Sequence, residues 1–340
     1  MPAVLARPPI RRPGATASAS PAALALRRLR HDREALVFAL LLALMLVALV
    51  GAPLYATLVA GTTPAENHLT DQVTVDGERV DVVSLDGIPI GPTWGREYFL
   101  GADENGRDLM VRLLYGARTS VLIGAGALAL TVLVAVPLAL AAGYFRGRAD
   151  SLISRLLDLL WSFPALLLGF LFASAINLSG ARIGPFTIEA GSKLIPVTVI
   201  GLVYVPYLAR PLRGNALALR EERFIEAARA AGMGAVRVML SEMLPHLWTT
   251  ILVLAPLLFA NAVVLESALS FLGAGVQPPE PSFGTLIKAG LNDVVVSPHL
   301  LLAPSVALVL LVLSLSGVAD GLRRALSPHR ALGVDLVHGQ

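Results

Sequence analysis

Six stretches of this chain run without Asp, Glu, Lys, Arg or His: Ala35–Val59, Thr119–Phe145, Leu159–Ala181, Leu194–Ala209, Leu247–Leu265 and Leu300–Ala319. A helix that crosses a hydrocarbon core of about 30 Å needs about 20 apolar residues, with about 17–25 the usual range. Five runs meet that length. The fourth has 16 residues, but Lys193 and Arg210 bracket it, and such side chains can reach to the two interfaces. The expectation is an all-α polytopic membrane protein with six transmembrane helices. Composition agrees, since 55% of the 340 residues are apolar and 15% are charged, against about 25% charged in a soluble domain.

Six spans place both termini on one face, together with segments 146–158 and 210–246. That face carries 19 of the 27 basic residues, and the loops 60–118, 182–193 and 266–299 carry the other eight. The positive-inside rule then puts both termini in the cytoplasm. Segment 1–34 is expected to be a basic cytoplasmic tail, 35–59 the first span, 60–118 an extracytoplasmic loop, 119–325 the core of the remaining five spans, and 326–340 a second cytoplasmic tail. The first run could also be read as a signal peptide, but its 25 residues exceed the roughly 7–15 of a signal h-region. Within the long loop, the alternating β-formers of 73–92 and the Asp-Gly pairs at 76–77 and 86–87 suggest a hairpin. Residues 107–115 read as a separate short amphipathic helix, with Leu109, Arg112, Leu113 and Leu114 at the membrane interface.

Several chemistries are excluded by residue type. The chain has no cysteine, hence no disulfide, thiolate metal site or cysteine nucleophile. Its two lysines, Lys193 and Lys288, follow Ser192 and Ile287, so no Gly-Lys-Ser/Thr phosphate loop exists. There is no His-Glu-x-x-His or Gly-x-Ser-x-Gly sequence, and the six histidines lack ligand spacing. No catalytic residue, metal or cofactor is expected.

The loop between the fourth and fifth runs is the most informative. Phe224, Ala227, Ala228 and Ala231 form an amphipathic stripe, and Gly232 supplies a helix terminator. Val236, Met239, Leu240, Met243, Leu244 and Leu247 repeat the spacing into the next span, past Pro245. A plain solvated connector would show such a pattern, and so would a DNA-binding helix-turn-helix. The second reading fails because both ends are held in the membrane and Glu221, Glu222 and Glu226 would repel phosphates.

Glu226-Ala-Ala228, then Gly232, then Leu244-Pro245 resembles the EAA loop of permease subunits of bacterial ABC importers. The resemblance continues in Tyr98-Phe-Leu-Gly-Ala-Asp-Glu-Asn-Gly-Arg-Asp108, Leu113-Leu-Tyr-Gly-Ala-Arg118, Ala142-Gly-Tyr-Phe145, Asp158 with Ser162-Phe-Pro164, and Glu266-Ser-Ala-Leu-Ser-Phe-Leu-Gly273. In that order, over about residues 95–325, these blocks are similar to the second permease of the dipeptide/oligopeptide/nickel family. The resemblance implies a translocation path shared with a second permease subunit, two cytoplasmic ATP-binding subunits and an extracytoplasmic substrate-binding protein. It implies that Glu226, Ala227, Ala228, Gly232, Leu244 and Pro245 dock the ATPase. Cargo would be di- or oligopeptides, with nickel or another small solute as the alternative; a non-transporting scaffold or sensor is the alternative of another class. Glu242 and Met243 depart from the family's common His and Ile.

Three further groups stand out. Glu266, at the end of an uncharged span, is expected either at a solvated outer interface or lining the substrate path. Asp103, Arg107 and Asp108 form an outer cluster that either fixes a helix against a binding protein or is simply solvated. Asp158 is expected at the interface near Arg155. Gly124, Gly126, Ala127 and Ala129 read as helix-packing positions, and Pro137, Pro164, Pro206 and Pro256 as kinks.

Overall fold

The computed structural model describes residues 30–75, 77–183 and 186–326. Most of the two expected tails, and one residue of the first Asp-Gly pair, lie outside that range. Helix α1 (Arg33–Val50) starts where the Asp32 carboxylate accepts the Ala35 amide at 3.1 Å, and continues through Ala52–Leu54 and a π-helical turn, Tyr55–Ala60. Strands β1 (Gln72–Val75) and β2 (Glu78–Asp81) pair antiparallel, which is the hairpin read from the sequence. Helix α2 (Leu109–Phe145) follows, then α3 (Gly147–Trp161), α4 (Ala165–Ser179), the hairpin β3 (Ala181–Ile183) and β4 (Phe186–Ile188), α5 (Leu194–Val203), α6 (Val205–Arg220) and α7 (Arg223–Ala230). A turn at Ala235–Arg237 and a π-helical turn at Val238–Met243 lead into α8 (Leu244–Phe271), and the amphipathic α9 (Phe283–Asn292) and the long α10 (His299–Leu326) complete the described chain.

Among the described residues five helical stretches are long and apolar enough to cross a membrane, and there are six if the bent pair α3 and α4 counts as one span. Counted that way the spans correspond to the six charge-free runs, but the boundaries differ for physical reasons. The fourth run is not short: α5 and α6 together form a 27-residue stretch. Arg210 and Arg213 do not end it because each is paired from within the fold, Arg210 with Asp158 at 2.5 Å and Arg213 with Asp150. Asp158 therefore faces α6, not Arg155. The third run is the interrupted one. Leu159, Leu160 and Trp161 belong to α3, Pro164 takes an extended ψ of 128°, and the chain bends by 88° into α4, which ends before Ala181 enters β3. Of the four prolines only Pro164 marks this bend; α2 and α8 continue through Pro137 and Pro256, and Pro206 occupies the first turn of α6.

The separate helix expected over 107–115 does not exist. One 37-residue helix, α2, begins at Leu109, and Leu109, Arg112, Leu113 and Leu114 are buried rather than interfacial. Helix α2 is the post around which α5, α6 and α8 pack. Small residues make the close approaches, as helix association in lipid requires. A Cβ on Gly143 would lie 2.5 Å from Ala216 Cβ of α6, one on Gly124 2.8 Å from Val263 of α8, and one on Gly126 3.2 Å from Val197 of α5. Thr131 Oγ1 donates across the interface to the Gly201 carbonyl at 2.8 Å. Ala127 is buried there, whereas Ala129 is exposed. Arg324 near the end of α10 donates to Asp32 at 2.8 Å and ties the last helix to the start of the first.

Candidate functional site

At the arginine-rich end of the bundle, α7 has one fully buried side chain. Ile225 is 0% exposed in the main apolar core. Ala228, one turn on, is half-buried against the same core, while the rest of the apolar stripe is exposed: Phe224 is 38% exposed, and Ala227 and Ala231 are exposed. The helix ends with the Met233 amide donating to the Ala228 carbonyl at 3.1 Å and the Gly232 amide to the Arg229 carbonyl at 3.0 Å. Gly232 sits at φ +83°, a left-handed conformation that glycine adopts without the Cβ penalty. No atom lies within 4 Å of where its Cβ would be, so backbone conformation alone selects glycine there.

The two sides of the loop are joined through rings. Phe224 stacks on His246 at a centroid distance of 4.9 Å, and the His246 Nδ1 lies 2.7 Å from the Glu242 carbonyl. Arg229 lies over Tyr144 at 5.9 Å, and Arg146 pairs with Glu221 at 2.6 Å, which connects α7 to the foot of α2. Glu226 and Pro245 are exposed, and Leu244 is half-buried against the core. The six expected docking residues thus lie along one loop, with Glu226, Ala227, Gly232 and Pro245 accessible. The sequence reading missed Ile225 because an isolated β-branched residue beside a wider alanine stripe gives no periodic signal. It also missed Phe224 with His246, since a ring contact across 22 positions has no periodicity.

At the opposite end the acidic cluster is not solvated. Asp103 and Asp108 are buried, and Arg107 is half-buried. Asp103 accepts from Arg107 Nε at 2.8 Å and from the Asn105 and Arg107 amides, and Arg112 Nε lies 3.2 Å from it. Arg112 also donates to the Pro64 carbonyl at 2.8 Å. Asp108 is the N-cap of α2, accepting the Val111 amide at 2.9 Å and the Tyr98 amide at 3.1 Å. Burial pushes the Asp108 carboxyl above its usual range, against the lowering effect of those amides. Burial and then the nearby carboxylates push the Tyr98 phenol up to about 12. The cluster clamps the long loop onto the head of α2.

Glu266 is enclosed rather than at a solvated interface, with 0% exposure. Ser270 donates to it at 2.6 Å, Ser267 lies at 3.5 Å, and the hydroxyls of Ser120 and Ser282 also face it. Each serine has a second task. Ser120 accepts the Phe283 amide, Ser270 accepts the Val276 amide, Ser267 donates to the Val263 carbonyl, and Ser282 forms a capping box with Thr285 at the start of α9. Among the described residues no group of three or more His, Asp or Glu is placed to hold a metal ion.

Long apolar helices able to span a membrane and a short helix ended by a glycine turn at one end of the bundle define a polytopic membrane protein. The chain belongs to the family described as binding-protein-dependent transport system inner membrane component, which matches residues 135–331. It is 35% identical over 68% of its length to a dipeptide transport system permease protein of Alkalihalophilus pseudofirmus, covering 72% of that protein. It is 30% identical over 89% of its length to a glutathione transport system permease protein of Escherichia coli O6:K15:H31, covering 88% of it. Among solved structures, a chain of the inward-facing MetNI methionine ABC transporter superposes with a TM-score of 0.50 at 17% identity, covering 64% of this chain and 98% of that one, a likeness of fold. The chain is therefore a membrane permease component of a binding-protein-dependent transport system.

Proposed function

We propose that this chain is one of two permease subunits of a peptide importer, with α7 as the element that couples its spans to a separate ATPase. The observation that carries the coupling role is the exposed apolar stripe of α7, held from behind by Ile225 and ended by Gly232. A helix anchored on one side and bare on the other is suited to seat in a cleft of another chain. Its rigid ties to α2 and α8 would pass on rigid-body motion. The partners are a second permease, two ATP-binding subunits and an extracytoplasmic binding protein. Loop 210–246 and both termini lie in the cytoplasm, as the 19-to-8 division of basic residues supports. Peptide cargo is supported by the dipeptide and glutathione permease relatives.

The experiment is co-expression with the genes beside its own, followed by purification and reconstitution with the neighbouring binding protein. The expected result is co-purification of a second permease and ATPase, and ATP-dependent accumulation of a labelled di- or tripeptide. Purification without an ATPase, or accumulation of nickel and not peptide, would overturn the respective half of the reading.

A further inference from the structure

We infer that the cavity beside Arg118, at the outer end of the bundle, is a subsite for the C-terminal carboxylate of a peptide in transit. The inference rests on the peptide reading above and specifies how this chain would recognise such cargo. The cavity measures about 570 Å³ and is lined by Tyr115, Arg118, Leu122, Lys193, Glu280 and Pro281 among others, within the roughly 300–1,000 Å³ of small-ligand clefts.

Its charges point to an anion. Lys193 is neutralised by Glu280, with which it forms an ion pair. Arg118 is exposed and has no hydrogen-bond or ion-pair partner among the described residues. Other basic side chains at this end are already used: Arg96 donates to the Leu58 and Val59 carbonyls, and Arg107 and Arg112 are engaged by Asp103. Arg79, Arg182 and Lys288 also have no hydrogen-bond or ion-pair partner among the described residues, but none of them lines this cavity. The cavity therefore holds one uncompensated positive charge.

The guanidinium is also well placed. Gly116 and Ala117 precede it and Ser120 follows it, all buried against α8 or α9. The backbone under Arg118 is thus immobilised while its side chain is left bare. A guanidinium offers a planar fork that pairs with a carboxylate through two parallel hydrogen bonds. Tyr115, Leu122 and Pro281 supply apolar wall for a side chain next to that carboxylate. From Leu122 in the cavity wall, Ala125, Ala129 and Leu133 continue the exposed face of α2 at intervals of three or four residues. This gives a bound peptide a continuous apolar track along the span.

The test compares a tripeptide bearing a free carboxylate with its C-terminal amide, in phosphatidylcholine vesicles holding the full complex. Both are used at concentrations that saturate the binding protein, whose own affinity for each is titrated separately, so that any remaining preference belongs to the membrane subunits. Wild type is expected to favour the free peptide. Arg118→Gln should lower free-peptide uptake about tenfold, the factor carried by about 1.4 kcal/mol, leave amide uptake unchanged, and be partly rescued by Arg118→Lys. The inference is overturned if wild type does not discriminate, or if Arg118→Gln changes neither peptide or both equally; an equal loss that grows with added phosphatidylglycerol would assign Arg118 to lipid phosphate. If wild type imports neither peptide while ATP hydrolysis and assembly are intact, the peptide reading itself fails, and this inference with it.

Discussion

Ser270 donates its hydroxyl to Glu266 at 2.6 Å while accepting the Val276 amide at 2.9 Å, so one side chain joins a buried carboxylate to the loop that follows its own helix. Through Ser120 and Ser282 the same carboxylate also touches α2 and the start of α9. Replacing Glu266 by Leu leaves these hydroxyls facing an apolar group, and each buried polar group without a partner costs about 1–3 kcal/mol. The expected result is a drop of several kcal/mol in stability for Glu266→Leu and a smaller one for Glu266→Gln, which retains hydrogen-bonding capacity. Thermal unfolding of the detergent-solubilised complex, followed by size exclusion, checks the order of the two variants.

The contact of α9 with α8 leaves no room for a side chain. A Cβ on Gly284 would sit 2.0 Å from the Ser267 carbonyl oxygen and 2.8 Å from the Phe271 amide, both backbone atoms. Gly284→Ala is expected to detach α9 and to yield little folded protein. Gly126→Ala meets only Val197 side-chain atoms, at 3.2 Å, and should express like wild type. Equal expression of the two variants would contradict this packing.

Asp108 caps α2, and its removal has a signed pH dependence. Burial raises its pKa above the ordinary 3.8. Its contribution to stability is therefore fully present below that value and is lost as pH rises through the raised, folded value. Asp108→Ala should cost about 1–2 kcal/mol, as for other lost caps. Asp108→Asn, whose single side-chain oxygen can still accept one of the two amides and which cannot ionise, should cost less than Asp108→Ala at neutral pH and flatten the dependence. Thermal stability measured in steps from about pH 3.5 to 7 separates these outcomes.

Tyr98 is predicted to ionise late. With its phenol pushed up to about 12, its contribution to stability is present below the ordinary value of 10 and lost as pH rises through about 12. Tyr98→Phe should remove one late step from the phenolate absorbance titration and leave the earlier tyrosine ionisations in place. Loss of an early step instead would show that Tyr98 is solvated.

The number of spans and the helix, glycine turn, helix order of the loop were legible because each depends on local patterning. The helix ends were less legible, because charge was used to find them. Arg112, Arg210 and Arg213 interrupt an apolar run on paper, yet each is neutralised by a carboxylate remote in sequence or on a neighbouring element, so the helix continues through it. Pro164 was visible, but its consequence, a bend of 88°, depends on the packing of α3 and α4. The docking residues around Gly232 could be named from their motif. The direction in which the stripe faces depends on Ile225, whose burial only the assembled core determines. Glu266 could be singled out as a charge in an apolar setting, but its four serine neighbours come from three parts of the chain.

The most direct test of the coupling role is the ratio of peptide accumulated to ATP hydrolysed in proteoliposomes containing the whole complex, compared between wild type and Gly232→Leu. At φ +83° with open space around it, Gly232 accepts a side chain without a clash, and the substitution perturbs only the backbone that ends α7. The account predicts normal membrane insertion, a much reduced ratio, and ATP hydrolysis that no longer rises with loaded binding protein. The same failure is expected of the double variant Glu226→Ala with Gly232→Ala. An unchanged ratio with substrate-stimulated hydrolysis intact would contradict the assignment of α7 as the coupling element.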